Sequence, residues 1–304
     1  MNAIDPKPLA ALVAVVEHGS FLQAAKALKL TLAAVSMRVQ ALETQLGQRL
    51  LVRGKRVTPT VAGQKLMAYA RQLSLLQADV LRELQGPDAL HEAWTTLPVA
   101  INADSLSSWW LPGLADALVA HRLLLDVQID DQDHTHEALR QGQVVGCVTS
   151  HDQHIAGCVA QPLGVMRYRC LASPERIAQW QGRDGRVSLH RMLASPAVIF
   201  NRKDRLQDVF LATHFELRDA AYPRHYLPAV DAFEAAIALG LGWGMVPEVM
   251  WQQHPALAKA QEVFADCPVD VPLVWLHSAR ESLAARQLSQ AITAAAARAL
   301  LPPA

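Results

Sequence analysis

Residues 30–47 read LTLAAVSMRVQALETQLG. Leu32, Val35, Val39, Leu42 and Leu46 recur at steps of three and four, which places them on one apolar stripe of a helix. Thr31 stands where an N-cap belongs and Gly47 where a helix stops. Ser36, Met37, Arg38 and Gln40 lie off the stripe. That outer face is either ordinary solvated surface or a face shaped for a DNA groove, and the flanking residues bear on the choice.

Upstream, Leu9, Leu12, Val13 and Val16 make a shorter amphipathic helix that His18-Gly19 ends. Ser20-Phe21-Leu22-Gln23 then reads as a capping box, opening a second helix over 21–28. The turn Lys29-Leu30-Thr31 joins it to the quoted helix. Two helices joined by a three-residue turn predict a helix-turn-helix, whose second helix lies in the major groove.

Downstream, LLVRGKRVTPT has two β-prone pieces flanking Arg53-Gly54-Lys55-Arg56. It reads as a small hairpin, or wing, with a basic tip suited to phosphate contacts. Thr60 caps a long helix to about residue 84. Its apolar positions Leu66, Tyr69, Leu73, Leu76, Val80 and Leu84 are spaced three or four apart. Such a helix leaving a small domain predicts pairing with a second copy, with Leu66, Leu73, Leu76 and Val80 as the contacts.

Charge supports the same division. The 304 residues carry 28 Lys+Arg and 28 Asp+Glu. Residues 1–86 hold eleven basic and five acidic side chains, net +6, so the remainder is −6. A basic end on an acidic body points to an anionic partner at that end. The length predicts two or three domains, and 51% hydrophobic content is enough for real cores. The N-terminus MNAIDPKPLAA lacks the features of a signal peptide, which predicts a cytoplasmic protein. The four cysteines form no CxxC pair, as expected in a reducing compartment.

From Leu97 the pattern alternates strand and helix. LPVAINADSLSSWWL, LLLDVQIDD, HEALRQG and VVGCVTS form a first β-α-β unit. AVIFN, DAFEAAIALGLG and WGMVPEV form a second, and PLVWLHS with the Ala-rich helix from Leu283 returns to the first. This order predicts parallel sheets with right-handed crossovers. In open α/β sheets, small ligands bind beyond the carboxyl ends of the strands. The residues there are Asn102, Asp104 and Ser105, then Asp130 and Asp131, then Thr149 and Ser150. In the far lobe they are Asn201 and Asp231.

The stretch AAKALKLTLAAVSMRVQALETQLGQRLLVR, followed by TPTVAGQKL, resembles the winged helix-turn-helix of LysR-type transcriptional regulators. The resemblance extends over the whole chain. It implies a fold in two classes: an all-α winged helix-turn-helix with a long dimerisation helix, then an α/β two-lobed, periplasmic-binding-protein-like effector domain. The implied divisions are residues 1–59 for DNA binding, 60–86 for the dimerisation helix, 87–94 for a hinge and 95–304 for the effector domain. Lobe 1 takes about 95–168 and 271–304, and lobe 2 about 169–270. PVAINADSLSSWWLPGLA and ALRQGQVVGCVTS resemble the ArgP/LysG branch. Members of that branch respond to lysine or arginine and activate a basic-amino-acid exporter gene.

The resemblance implies double-stranded DNA with an interrupted palindrome, RNA polymerase, a small effector and further copies of the chain (a dimer or tetramer) as partners. It implies no cofactor. Thr31, Ser36, Met37, Arg38, Gln40, Arg53, Lys55 and Arg56 are the expected DNA contacts. Family members usually carry polar residues at the start of the recognition helix. Leu32 and Ala33 stand there in this chain, which moves base reading to Ser36–Gln40. Ala229 and Val230 replace hydroxyl residues usual before the acidic residue of the far-lobe helix. The alternatives are a different amino acid or organic acid as effector, or a metal-dependent or thiol enzyme with a DNA-binding appendage. His134, His136, His151 and His154 cluster without a paired ligand motif and read as loop histidines. No GxSxG, HExxH, Walker or GxGxxG element is present, so the sequence predicts no enzyme.

Overall fold

The computed structural model describes residues 4–85, 94–129, 138–139, 143–150 and 157–303. Asp130 and Asp131, the four clustered histidines, residue 86 and residues 87–93 of the expected hinge lie outside them. Element order follows the expectation of a helical end and an α/β body.

The small domain contains α1 (Pro6–His18), α2 (Phe21–Ala27) and α3 (Leu32–Leu46). Asp5 caps α1, and Gly19 ends it in the left-handed region, with φ +63°. Ser20 makes no side-chain capping bond, so the expected capping box is not formed. Lys29 turns the chain into α3 with φ +54°. Thr31 caps α3 by accepting from Ala34 N at 3.1 Å. Val35, Val39 and Leu42 are buried against Leu9, Leu12, Val15, Ala24 and Ala25. Leu32 and Leu46, at the two ends of the same stripe, are 50% and 37% exposed. α1 and α2 cover the middle of α3, and its ends overhang that support.

The wing is β1 (Leu51–Val52) paired antiparallel with β2 (Thr58–Pro59). Glu43, the single acid in the basic stretch from Lys26 to Arg71, holds its base. The Glu43 carboxylate accepts from Leu50 N at 2.8 Å and Leu51 N at 3.4 Å. Thr60 returns a hydroxyl bond to Arg49 O and caps α4 (Val61–Gln85) through Gly63 N. Gly63 is required here. A Cβ on it would lie 2.1 Å from Leu50 O, so the helix enters against the wing's backbone.

The long apolar stripe of α4 is divided. Leu66, Met67 and Ala70 are buried in the small domain's own core, and Leu73 packs beside them. Beyond the small domain, Leu76, Val80 and Leu84 are 56%, 53% and 78% exposed. Leu66 is therefore corrected from a contact between copies to a residue of the chain's own core, because the small domain covers the first half of the stripe. On the opposite face, Arg71, Leu75 and Asp79 follow each other at i, i+4 and i+8 and meet the body. Leu75 packs against its core, Arg71 Nη1 donates to Gln143 O at 3.0 Å, and Asp79 accepts from Leu283 N at 2.8 Å.

The body is built on a seven-stranded mixed sheet. β3 (Thr95–Ile101) pairs in parallel with β4 (Leu123–Ile129) and β5 (Gly146–Thr149). The first crossover runs through α5 (Ala103–Ser105), a π-helical turn at Leu106–Trp110, and α6 (Leu111–Ala120). Two long antiparallel strands, β6 (Cys158–Ala172) and β11 (Val269–Ser278), run from this lobe into the next. β11 pairs with β5 in the first lobe. The far end of β6 pairs with β9 (Gly244–Pro247) and β10 (Gln261–Glu262) in the second.

Around these strands the second lobe carries α7 (Pro174–Trp180), α8 (Leu189–Leu193), β7 (Ala197–Ile199), α9 (Leu206–Phe215), β8 (Arg224–Tyr226), α10 (Val230–Ala238) and α11 (Glu248–Gln253). α12 (Leu283–Ala299) returns to the first lobe. Trp110 and Trp275 anchor the core of lobe 1, and Trp243 and Phe210 that of lobe 2.

Candidate functional site

The outer face of α3 presents Met37, Gln40, Ala41, Thr44 and Gln45 as a shallow depression. Met37 is 68% exposed and Gln40 is exposed, whereas Ser36 and Arg38 sit half-buried on the flanks. The expected base readers therefore divide into two that face outward and two that face sideways. Thr31 is committed to its cap. At the wing, the Arg53 guanidinium lies over the Phe21 ring at 5.3 Å. The Arg56 stem lies against Gly19, and Val57 N donates to Gly19 O at 2.9 Å. All three basic side chains are exposed, and Arg53 and Arg56 also lie against Phe21 and Gly19.

The second concave region lies between the lobes. After β3, Asn102 Oδ1 accepts from Ser105 N at 3.2 Å, which turns the chain and delivers Asp104 to the cleft. Ser105 Oγ is fully buried and makes no hydrogen bond among the described residues. Tyr168, on the crossing strand β6, donates its hydroxyl to Asp104 Oδ2 at 2.8 Å. From lobe 2 come Phe200, Val230, Phe233 and Met250, an apolar wall, and one further acid, Asp204. Asn201 is a turn former, accepting from Lys203 N and Asp204 N. Asp231 is exposed in the first turn of α10, whereas Glu234, one turn further on, is buried. Glu234 pairs with His254 Nδ1 at 2.6 Å. Thr149 is buried at the end of β5 and Ser150 is half-buried after it.

Sequence reading thus reached Asp104 but missed Tyr168, Asp204 and Glu234. Asp204 carried a signal. NRKD after β7 repeats the placing of NAD after β3, an Asn at the strand's carboxyl end with an Asp two or three residues on. Tyr168 carried none, since RYRC reads as ordinary alternation.

The electrostatics follow from this gathering of acids. Burial chiefly, opposed by the Tyr168 hydrogen bond and aided by the Asp204 and Glu234 charges, pushes the Asp104 carboxyl up to about 6. An edge of Asp104 still reaches solvent, so burial here means enclosure by protein atoms with a residual path to water. Burial also raises Glu234, against the pull of His254. The Tyr168 hydroxyl is held well above its usual range by burial and by the Asp104 charge. The lobes meet closely and enclose about 20 Å³, near the volume one water requires. A pocket for a small molecule measures roughly 300 Å³ or more, so such a ligand enters only if the lobes part.

A basic helix-turn-helix with a wing, joined to two lobes around an enclosed cleft, has clear counterparts. The model of the bacterial regulatory helix-turn-helix protein, lysR family, matches residues 6–64, and that of the LysR substrate binding domain matches residues 98–297. The chain belongs to the LysR family. It is 39% identical over 296 residues to the transcriptional regulator LysG of Mycobacterium tuberculosis, covering 96% of this chain and 94% of that one. It is 35% identical to the regulator ArgP of Aeromonas salmonicida, covering 99% and 100%.

The crystal structure of ArgP from Mycobacterium tuberculosis superposes with a TM-score of 0.84, at 35% identity and with 99% and 100% covered. Full-length LysG from Corynebacterium glutamicum with the effector arginine bound gives 0.76, at 32% identity and with 98% and 100% covered. This LysR-family chain is thus a transcriptional regulator of the ArgP/LysG type and not an enzyme. No single helix among the described residues is long and apolar enough to cross a membrane.

Proposed function

We propose that this regulator senses L-lysine or L-arginine between the lobes of its body and controls the gene of a basic-amino-acid exporter in the cytoplasm. The observation that carries the reading is the composition of the cleft. Among the described lining residues are the acids Asp104 and Asp204 and an apolar wall, with no cationic side chain. A cationic head suits the acids and an aliphatic body suits the wall. Arginine bound to a relative of the same type supports the same chemistry. In this reading Asp104 meets a cationic end, Ser105, Thr149 and Ser150 serve the carboxylate or amino group, and Asn201 holds the turn that carries Asp204. Asp231 adds a further acid from the first turn of α10, and Asp130 and Asp131, outside the described residues, stay expected effector contacts.

The first 59 residues bind DNA, residues 60–86 serve dimerisation, a hinge follows over 87–94, and the two lobes occupy 95–304. Ser36, Met37, Arg38 and Gln40 meet base edges or adjacent phosphates, and Arg53, Lys55 and Arg56 meet phosphates. The exposed half of the α4 stripe, Leu76, Val80 and Leu84, pairs with a second copy, so a dimer presents two recognition helices to an interrupted palindrome. Effector binding favours one arrangement of the heads to the extent that it binds that arrangement better, and so alters recruitment of RNA polymerase.

Calorimetric titration of the full-length protein with amino acids tests the effector. Saturable heat with L-lysine or L-arginine and none with L-glutamate or L-leucine is expected. Heat only with a neutral or acidic compound would refute this effector.

A further inference from the structure

We propose that Glu281 is a positioning residue of the joint between the linker helix and the body. Locked between His277 and Ser289, it sets the first turn of α12, whose Leu283 N–H the Asp79 side chain takes. It also ties that contact to the tryptophans behind the cleft. The proposal goes beyond the effector reading and does not depend on which ligand the cleft holds.

The argument begins with the short connection from β11 to α12, residues 279–282. It is tethered along its length. Ser278 Oγ donates to Arg280 O and accepts from Arg280 N, and Ala279 N donates to Gly157 O at 2.9 Å. Ser282 caps α12. An acid in such a surface connection ordinarily points to water. The Glu281 side chain instead turns inward and is only 13% exposed.

Two elements hold it there. Glu281 Oε1 accepts from the Ser289 hydroxyl of α12 and lies 3.0 Å from His277 Nδ1 of β11. Nδ1 also lies 3.1 Å from Ser278 O, and two acceptors place the ring proton on that nitrogen. Burial opposes the Glu281 charge, but the bonds from His277 and Ser289, with the Arg286 charge, hold the carboxyl below its usual range. It therefore remains an acceptor at neutral pH.

Behind Ser289 the chain of bonds continues toward the cleft. Ser289 Oγ accepts from Trp275 Nε1 at 2.8 Å. The Trp275 ring lies 5.8 Å from that of Trp110, in the π-helical turn that directly follows Asp104 and Ser105. α11 of lobe 2 packs against the same turn. Indole, hydroxyl and carboxylate thus run donor to acceptor through a buried region, where each bond orients the next.

In front of Glu281 lies α4. Leu283 stands two residues on, and its N–H goes to Asp79 at 2.8 Å. Leu75 of the same helix face packs in the cluster that holds Trp110, Trp275 and Leu288. A shift of the π turn as the lobes move therefore has a contiguous physical route to the helix that carries the DNA-binding end.

Hydrogen exchange of the full-length protein tests the assignment. In Glu281→Ala, exchange in the first turn of α12 and over residues 71–79 of α4 should rise about fivefold. Exchange in β9 of lobe 2 and in α1 should keep the parent rate. Glu281→Gln presents an oxygen to the same two donors and should restore slow exchange. Glu281→Ala placed on Asp79→Ala should add little, because both act through one contact. L-arginine should alter exchange over residues 71–79 in the parent and in Glu281→Gln, and much less in Glu281→Ala.

Unchanged exchange in Glu281→Ala would overturn the proposal. So would an equal rise in β9, which would make Glu281 a residue of the fold at large, or fully additive effects with Asp79→Ala. An arginine response in Glu281→Ala equal to the parent's would refute the tie to the cleft. Absence of saturable heat with L-arginine and L-lysine would remove the effector reading instead, and the ligand-free exchange of the three variants would still decide the role of Glu281.

Discussion

Asp79, on the linker helix, accepts a hydrogen bond at 2.8 Å from the backbone N–H of Leu283, the first residue of the last helix of the body. The two lie 204 positions apart in sequence. Ser282 caps the same helix through Ala285 N, so Asp79 takes a different donor of the first turn and adds a negative charge at the helix's positive end. With Arg71 and Leu75 it makes the face of α4 by which the DNA-binding end and the sensing body touch.

Asp79→Ala should loosen that contact by about 1 kcal/mol, the usual worth of a cap. Hydrogen exchange of the first turn of α12 should then rise roughly fivefold. Exchange unchanged from the parent protein would show that Asp79 does not hold the helix.

At Gly63 the expected outcome is set by a clash. A Cβ 2.1 Å from Leu50 O forces either the wing or the start of α4 to move. Gly63→Ala should cost ~1–3 kcal/mol, although alanine is the better helix former. A lower urea midpoint for the small domain, with weaker binding to DNA, is the expected reading. A gain in stability would mean that the approach relaxes easily.

The wing and the recognition helix should separate by salt dependence. Lys55→Ala should weaken binding to all DNA sequences alike and lower the log–log salt slope by about 1. Arg38→Ala should cost ~1–3 kcal/mol of specific affinity if it reads a base. A gel-shift titration over a range of salt distinguishes them. A Lys55 variant that loses discrimination between sites at an unaltered slope would contradict the phosphate role.

Asp104 should be a source of instability at neutral pH. Its carboxyl stands at about 6 in the fold against a usual 3.8, so its contribution to stability is fully present below about pH 4. It is lost as pH rises through about 6. Two units correspond to roughly 3 kcal/mol, an upper bound that the remaining contact with water reduces. Asp104→Asn keeps an acceptor for Tyr168 and removes the charge. It should melt several degrees above the parent at about pH 7.5, with the difference closing toward pH 4. A lower melting temperature at pH 7.5 would show that the Asp104 charge is compensated in the fold.

Some of this was written locally. The α3 stripe, the Thr31 cap and the Gly47 stop are short-range features, and a helix needs only near neighbours to form. The basic tip, the strand-helix alternation and the NAD turn after β3 are equally local. They were enough to place Met37, Gln40, Lys55 and Asp104 on the right elements.

What the tertiary structure alone decided is which of several equivalent residues meets a partner. Leu66 and Val80 share one stripe and are alike in periodicity, and only the extent of the small domain buries the first and leaves the second exposed. Glu43 reads as a stray charge until the wing returns its amides to it. Tyr168 reads as a strand residue until the crossing of β6 carries it under Asp104. Helix and strand periods come from bonds a few residues long, which the order of residues determines by itself. The partners of Leu66, Glu43 and Tyr168 are contacts between distant segments, and those exist only once the chain has closed on itself.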